Sequence, residues 1–219
     1  MKYSLVKNTI DLLEEFEHSS NYAAYSSDLN GFKKWIVDNY ADPAVLNEPS
    51  WEGKENGRSA DSVISTMLVH MGRYGKSYSK SAIWNSEFAT QEDFIYLINL
   101  KAFGKMTKMD LIKKNVQEKS VGMLIINRLM SKGWVVQEDS EIDKRSKIIC
   151  ITASGLQVLD DQMLKIRQAT RIVSGNLTHA EKMELIRLLQ KLSDFHRCIY
   201  DKNLESDQLL SEGISALDE

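Results

Sequence analysis

The sequence has little proline, little cysteine and no long apolar run. Only Pro43 and Pro49 interrupt 219 residues, so helices can form along most of the chain. Cys150 and Cys198 lie far apart without CxxC spacing, which excludes a disulfide framework and is typical of a reducing compartment. No stretch is apolar for long enough to predict a signal peptide or a membrane span, so we expect a cytoplasmic protein without membrane contacts.

Motifs that would indicate an enzyme are missing as well. The sequence contains no glycine-rich phosphate loop, nucleophile elbow or zinc-binding helix motif. The four histidines have no ligand-like spacing with cysteines or carboxylates: His18, His70, His179 and His196. We therefore expect no catalytic residue, no metal and no cofactor, and an enzyme with an unrecognised site is only the third hypothesis.

The small net charge of −3 hides two segments of opposite sign. Between Gly104 and Gly133 only Asp110 and Glu118 oppose seven basic residues, namely Lys105, Lys108, Lys113, Lys114, Lys119, Arg128 and Lys132. Such a basic island favours a polyanionic partner. From Asp201 onward acidic residues dominate, so residues 201–219 are interpreted as an acidic, flexible and solvated tail.

The first 58 residues are predicted to form a helical extension with a proline-containing linker. Apolar spacing indicates two amphipathic helices, or one helix interrupted near Ser19, with inward positions at Ile10, Leu13, Phe16, Leu29, Phe32, Trp35 and Ile36. The linker is predicted from Tyr40 to Gly57. Ser59 or Asp61 can then cap a helix within residues 59–89.

Capping residues divide the middle of the chain into short helices. Thr90 is predicted as the N-cap of one helix and Gly104 as its end. Thr107 with Asp110 caps a second helix, and a third runs from about Glu118 to Ser131. The last two helices form a candidate helix-turn-helix.

A β-hairpin and two long helices follow. The β-branched runs 134–137 and 147–151 flank a polar stretch, which predicts the hairpin. Thr152 caps the next helix, and Thr178 with Glu181 forms a capping box for the last one. That helix carries a heptad-like seam, which suits packing within one subunit and packing between two subunits equally: Leu185, Leu188, Leu192, Phe195 and Ile199.

The order helix, helix, hairpin, capped helix from Thr90 to about Leu159 resembles the winged helix module of MarR-family transcription regulators. Segments that carry the resemblance are 106–112, Lys119-Ser120, 127–129, 132–135, 143–145 and 151–155. The resemblance implies a mainly α fold with a small β-hairpin wing, a DNA-binding lobe at 90–155 and dimerisation helices at 156–200. It also implies a homodimer whose recognition helices enter successive major grooves about 34 Å apart. The N-terminal extension would cover or extend the dimer interface, or bind another protein.

Amphipathicity predicts how the helix from Glu118 meets DNA. Val121, Ile125 and Leu129 are expected inward, and Lys119, Ser120, Met123 and Asn127 outward. By resemblance, Arg145 enters the minor groove and Asp143 positions it. The candidate contacts to double-stranded DNA are Lys108, Lys114, Lys119, Ser120, Met123, Asn127, Lys144, Arg145 and Lys147.

The chain departs from the family at Leu124, which takes the place of a common arginine of the recognition helix. Gly122 is expected to cost about 1 kcal/mol relative to alanine within that helix. We therefore expect binding through phosphates and the wing, with relaxed reading of bases. The alternative is a winged helix kept as a protein-interaction or dimerisation module.

The resemblance further implies a small-molecule effector between the dimerisation helices and the DNA-binding lobe. Candidate lining residues are Met67, Met71, Tyr74 and Tyr78, on the helix expected near that place. The same stripe at helical spacing is more often ordinary core packing.

Overall fold

The computed structural model describes residues 3–40, 49–139 and 147–217. The chain divides into two compact units, Met1–Val63 and Ile64–Glu219. The fold class is confirmed: most of the protein is helical, and its one sheet is small and antiparallel.

The first unit contains α1 (Tyr3–His18) and α2 (Leu29–Tyr40), with short 3-10 helices at Tyr22–Ala24 and Lys54–Asn56. Both predicted helices are present. Aromatic side chains hold them together, since the Phe16 ring lies 5.5 Å from that of Phe32 and 5.4 Å from that of Trp35. Of the predicted linker, residues 49–57 contain only the second 3-10 helix, while 41–48 lie outside the described residues.

Seven helices follow: α3 (Ala60–Ala82), α4 (Gln91–Phe103), α5 (Lys108–Lys114), α6 (Lys119–Ser131), α7 (Ala153–Val173), α8 (His179–Tyr200) and α9 (Ser206–Ser215). The N-termini of α3, α4, α5, α7 and α8 are where the capping residues predict. Ser59 caps α3, and capping boxes begin α4, α5 and α8. In the last box the backbone hydrogen bond from Thr178 lowers the pKa of Glu181. Gly104 and Gly133, with φ of 79° and 71°, follow the ends of α4 and α6.

The sheet consists of β1 (Met106–Thr107), β2 (Val135–Asp139) and β3 (Lys147–Ile151) in the order β1-β3-β2. Val135 pairs with Ile151 in the hairpin, and Met106 pairs with Ile149 on the other edge of β3. The sequence predicts β2 and β3 but assigns Met106 and Thr107 to the start of a helix. Thr107 is the extended N-cap of α5, and that conformation lets the pair of residues add a third strand.

The core of the second unit lies where α4, α5, α6 and α7 meet the sheet. Its fully buried side chains include Leu97, Leu111, Ile126, Leu129, Ile149 and Leu159. Gly155 allows α7 to start against the hairpin, because a Cβ there would lie 2.3 Å from the Trp134 carbonyl oxygen. The core therefore fixes the helix-turn-helix and the wing strands as one body.

The acidic segment after Asp201 differs from its prediction as a flexible tail. Residues Ser206–Ser215 form α9, and Lys202 forms an ion pair with Glu212 on that helix. Leu209, Leu210 and Ile214 recur at helical spacing among the acids, so the segment has a helical periodicity that its charge alone did not indicate.

Candidate nucleic-acid interface

Helices α5 and α6 pack unusually closely through Gly122. A Cβ at this position would lie 2.4 Å from Cγ1 of Ile112, which is far too close for two carbon atoms. The sequence suggested only that Gly122 weakens its helix. In the structure Gly122 also permits the close contact between α5 and α6. Its missing side chain lets α6 rest directly on α5.

The buried and exposed faces of α6 are rotated slightly about the helix axis relative to the prediction. Gly122, Ile125, Ile126 and Leu129 are buried, which confirms two of the three expected inward residues. The third, Val121, is 40% exposed. Its predicted inward orientation was wrong, because the buried stripe is centred closer to Gly122, which packs against α5.

Lys119, Ser120 and Asn127 are exposed on α6, as predicted. Met123 is half buried and packs against the core, so only part of its side chain is available on the outward face. Leu124 lies in the middle of the exposed face, with 67% of its surface accessible. The outward surface of α6 thus has polar residues on either side of an apolar leucine.

The N-terminus of α6 leaves backbone amides available. Glu118 is the N-cap, yet its side chain makes no hydrogen bond to the helix. The first amides of a helix have no partner within the helix, and together with the helix dipole they favour an anion. Lys119 and Ser120 stand on this same turn, so a phosphate group would meet one charge, one hydroxyl and free amides.

Arg128 has a structural role instead of a contact to DNA. Its Nε and Nη2 donate to Asp93 Oδ1 at 2.8 and 2.5 Å, and Nη2 also donates to Thr90 Oγ1 at 3.1 Å. Asp93 is fully buried and also accepts hydrogen bonds from the backbone N–H groups of Ala89 and Thr90. This network ties the second half of α6 to the start of α4.

The turn before α6 is held from another direction by α8. The Tyr200 hydroxyl donates a hydrogen bond of 2.9 Å to the carbonyl oxygen of Gln117. Beside Gln117, Val116 has φ of 51°, a left-handed conformation that is costly for a β-branched residue. Sequence patterns gave no signal for the Tyr200 contact, because it joins residues 83 positions apart.

Most of the basic island makes contacts within the protein. Lys105 and Lys147 pair with Glu138 and Asp139, and the hydrogen bond from Lys105 lowers the pKa of Glu138. The ammonium groups of Lys114 and Lys132 lie 3.6 Å from the Phe103 ring centre and 4.4 Å from that of Trp134. Within residues 3–40, 49–139 and 147–217, Lys108, Lys113 and Lys119 form no ion pair.

The wing is described only at its strands. Lys147 begins β3, whereas Asp143, Lys144 and Arg145 lie outside the described residues.

Cys150 lies on β3 with its Sγ 3.5 Å from a carboxylate oxygen of Glu138. Burial raises the pKa of this thiol.

The effector candidates Met67, Met71, Tyr74 and Tyr78 lie on α3. All four are exposed along one face of α3. A shallow depression at the end of the same helix is lined by Ser77, Lys80, Ser81 and Trp84. These methionines and tyrosines are not core of the single chain.

The described residues hold neither a cluster of metal ligands nor a membrane-spanning helix. No group of three or more potential ligands occurs among them, and none of their helices combines the length and apolar character needed to cross a membrane.

The helix-turn-helix followed by a three-stranded sheet defines a winged helix protein. No family model matches the chain. Among curated proteins, the HTH-type transcriptional repressor NicR of Pseudomonas putida is 28% identical over 105 residues, which are 48% of this chain and 66% of the repressor, just under two thirds.

Solved structures of MarR-type regulators share the fold. A mutant MarR from E. coli in complex with operator DNA has a TM-score of 0.55 and 19% identity, covering 65% of this chain and 99% of that one. The MarR family regulator Sco3205 of Streptomyces coelicolor, in complex with DNA, has a TM-score of 0.56 and 18% identity, covering 68% and 91%. BpsR of Bordetella bronchiseptica, whose DNA binding is regulated by 6-hydroxynicotinic acid, has a TM-score of 0.54 and 21% identity. The match covers 59% of this chain and 98% of that one. The resemblance to MarR-family winged helix regulators is confirmed.

Proposed function

We propose that the protein is a DNA-binding transcription regulator that acts as a homodimer under the control of a small-molecule effector. The observation that carries the proposal is the exposed face of α6. Lys119, Ser120 and Asn127 stand there beside uncapped backbone amides, while Arg128 and Tyr200 hold the helix from behind. An exposed recognition helix on a rigid body is what reading of a major groove requires.

Two exposed apolar seams support the homodimer. On α3 the seam follows heptad spacing through Ile64, Met67, Met71, Tyr74 and Tyr78, all exposed. On α8, Leu185, Leu188 and Leu192 are about 40% exposed, so the heptad seam is mostly unburied within one subunit. Exposed apolar surface of this extent on two helices is typical of a subunit interface. Of the two sequence hypotheses for the α8 seam, we therefore favour pairing between subunits.

The proposed DNA contacts are those of the sequence analysis, including the exposed part of Met123. Lys108, Lys114, Lys119, Lys144 and Lys147 would bind phosphates, Ser120 and Asn127 would act from α6, and Arg145, positioned by Asp143, would enter the minor groove. We assign residues 90–155 to the DNA-binding lobe and 156–200 to dimerisation, with α3 beside them and residues 1–58 as an extension.

The effector would bind beside the α3 seam, where Met67, Met71, Tyr74 and Tyr78 supply apolar and aromatic surface once two subunits meet. BpsR, similar in fold, is regulated by an aromatic acid, which gives a first compound to test. A shift of the melting temperature by 6-hydroxynicotinic acid that is lost in Tyr74→Ala would support this place. No shift with a panel of aromatic acids would remove it.

The function is tested by titrating the full-length protein against the DNA upstream of its own coding sequence. We expect a saturable mobility shift that weakens steeply with salt. Absence of saturable binding to this and to genomic DNA would contradict the proposal. A stoichiometric protein partner that copurifies in place of DNA would establish the alternative, a protein-interaction module.

A further inference from the structure

We infer that the recognition helix reads the methyl groups of thymine through Leu124, and that this chain therefore selects DNA with thymine facing the centre of α6. The inference rests on the proposed DNA-binding function. It begins from Leu124, a leucine that is 67% exposed on the outward face of α6.

The inward face of α6 is complete without Leu124. Gly122, Ile125, Ile126 and Leu129 fill the contact with the rest of the lobe. Leu124 is the most exposed apolar residue of α6, and Val121, one turn earlier at 40% exposure, lies beside it. A leucine kept two thirds exposed gains its hydrophobic free energy only when a partner covers it.

The surroundings of Leu124 match a major groove. Ser120 and Asn127 lie four residues before and three residues after it on the same face, so their polar groups stand about 5 to 6 Å away along the helix axis. Lys119 stands at the uncapped N-terminus, and the sequence from Lys119 to Ser131 contains no acidic residue. A polyanion with apolar groups at its centre is complementary to this pattern.

Base chemistry identifies the apolar group. In the major groove only thymine offers a methyl, while the other base edges present hydrogen-bond donors and acceptors that an aliphatic side chain cannot satisfy. Asparagine pairs with N6 and N7 of adenine, so Asn127 beside Leu124 suits the same A·T-containing step. A protein partner would need about 800 Å² from each side, whereas α6 itself offers two apolar side chains.

The test removes single methyl groups from the DNA. Duplexes are first selected from a random library by the full-length protein, and each selected thymine is then replaced by deoxyuridine, which lacks only the methyl. We expect at least one position at which the wild type binds the uracil duplex about three- to fivefold more weakly, as expected for one buried methyl. Dissociation constants are measured by fluorescence anisotropy at one salt concentration.

Variants connect the effect to the residue. Leu124→Ala should bind the thymine and uracil duplexes equally, while the control Leu210→Ala, an exposed leucine of α9, should keep the wild-type ratio. If the wild type shows no thymine preference at any position, or if Leu124→Ala keeps it, the inference is overturned and the proposed function stands. If no duplex is selected at all, both fail.

Discussion

The hydroxyl of Tyr200, the last residue of α8, donates a hydrogen bond of 2.9 Å to the carbonyl oxygen of Gln117, two residues before α6 begins. Ile199 beside it is buried. The helix proposed to join two subunits thus contacts the turn that sets the position of the recognition helix. A movement of α8 at the proposed subunit interface would therefore be transmitted to that turn through the Tyr200 hydrogen bond.

Tyr200→Phe should loosen this turn without unfolding the lobe. It removes one hydroxyl and leaves the strained Val116 without its neighbouring restraint, so amide hydrogen exchange at residues 116–120 should rise. The core of α4 should keep its wild-type protection, and affinity for DNA should fall.

Tyr96→Phe is the matched control for the Tyr200 variant. The Tyr96 hydroxyl is buried, with its pKa raised to about 12 by burial, and it has no hydrogen-bond partner among the described residues. Its removal should leave exchange in the turn unchanged and should not lower the free energy of unfolding. Equal exchange in Tyr200→Phe and wild type would show that α8 does not restrain the turn.

Removing the charge of Arg128 should destabilise the protein strongly. Arg128→Met leaves the fully buried Asp93 carboxylate without its cationic partner, so we expect a loss of about 3 kcal/mol in the free energy of unfolding. The exposed pair of Lys101 and Asp160 is the control, because Lys101→Met should change stability by less than about 1 kcal/mol. Urea unfolding measures both, and similar losses would refute a buried clamp.

Gly122→Ala should destabilise the protein despite the higher helix propensity of alanine. The added Cβ would collide with Ile112 and push α6 away from α5, which we expect to cost about 1 to 3 kcal/mol. Gly72→Ala on α3 is the control, since no atom lies within 4 Å of the added Cβ there, and it should be neutral or stabilising by up to about 1 kcal/mol. A Gly122→Ala protein as stable as wild type would show that the close packing is not required.

A charge in the α8 seam should separate the subunits. Leu188→Glu places a carboxylate in the centre of the apolar stripe, so sedimentation velocity should show monomers where the wild type sediments as a dimer. Gln190→Glu, on the opposite side of the helix, should remain dimeric. A monomeric wild type, or a dimeric Leu188→Glu protein, would exclude this interface.

Local signals predicted much of the fold. Thr90, Thr107 and Thr178 mark helix starts because a capping box lies within four consecutive residues. The sequence was less decisive about which residues of α6 face the core. Val121 and Met123 are both apolar, and the sequence does not show that Gly122 must face Ile112. Val121 is therefore more exposed than predicted, and Met123 is more buried.

Contacts between distant segments could not be predicted. The pairing of Met106 with Ile149 that forms β1 depends on the hairpin that folds beside it. Arg128 belongs to a basic island in the sequence, yet its partner Asp93 lies 35 residues away on another helix. The apolar spacing of α9 is present in the sequence, but acidic residues surround it and are also typical of a solvated tail.

The central claim, that this winged helix binds DNA through α6 and the wing, is tested most directly by the salt dependence of affinity for a selected duplex. We expect log K to fall linearly with log salt, and Lys119→Ala and Arg145→Ala each to reduce the slope by about 0.9 for every phosphate that the wild-type side chain neutralises. Lys191→Ala on α8 should leave the slope unchanged. Binding with no salt dependence, or slopes that neither Lys119→Ala nor Arg145→Ala alters, would contradict this claim.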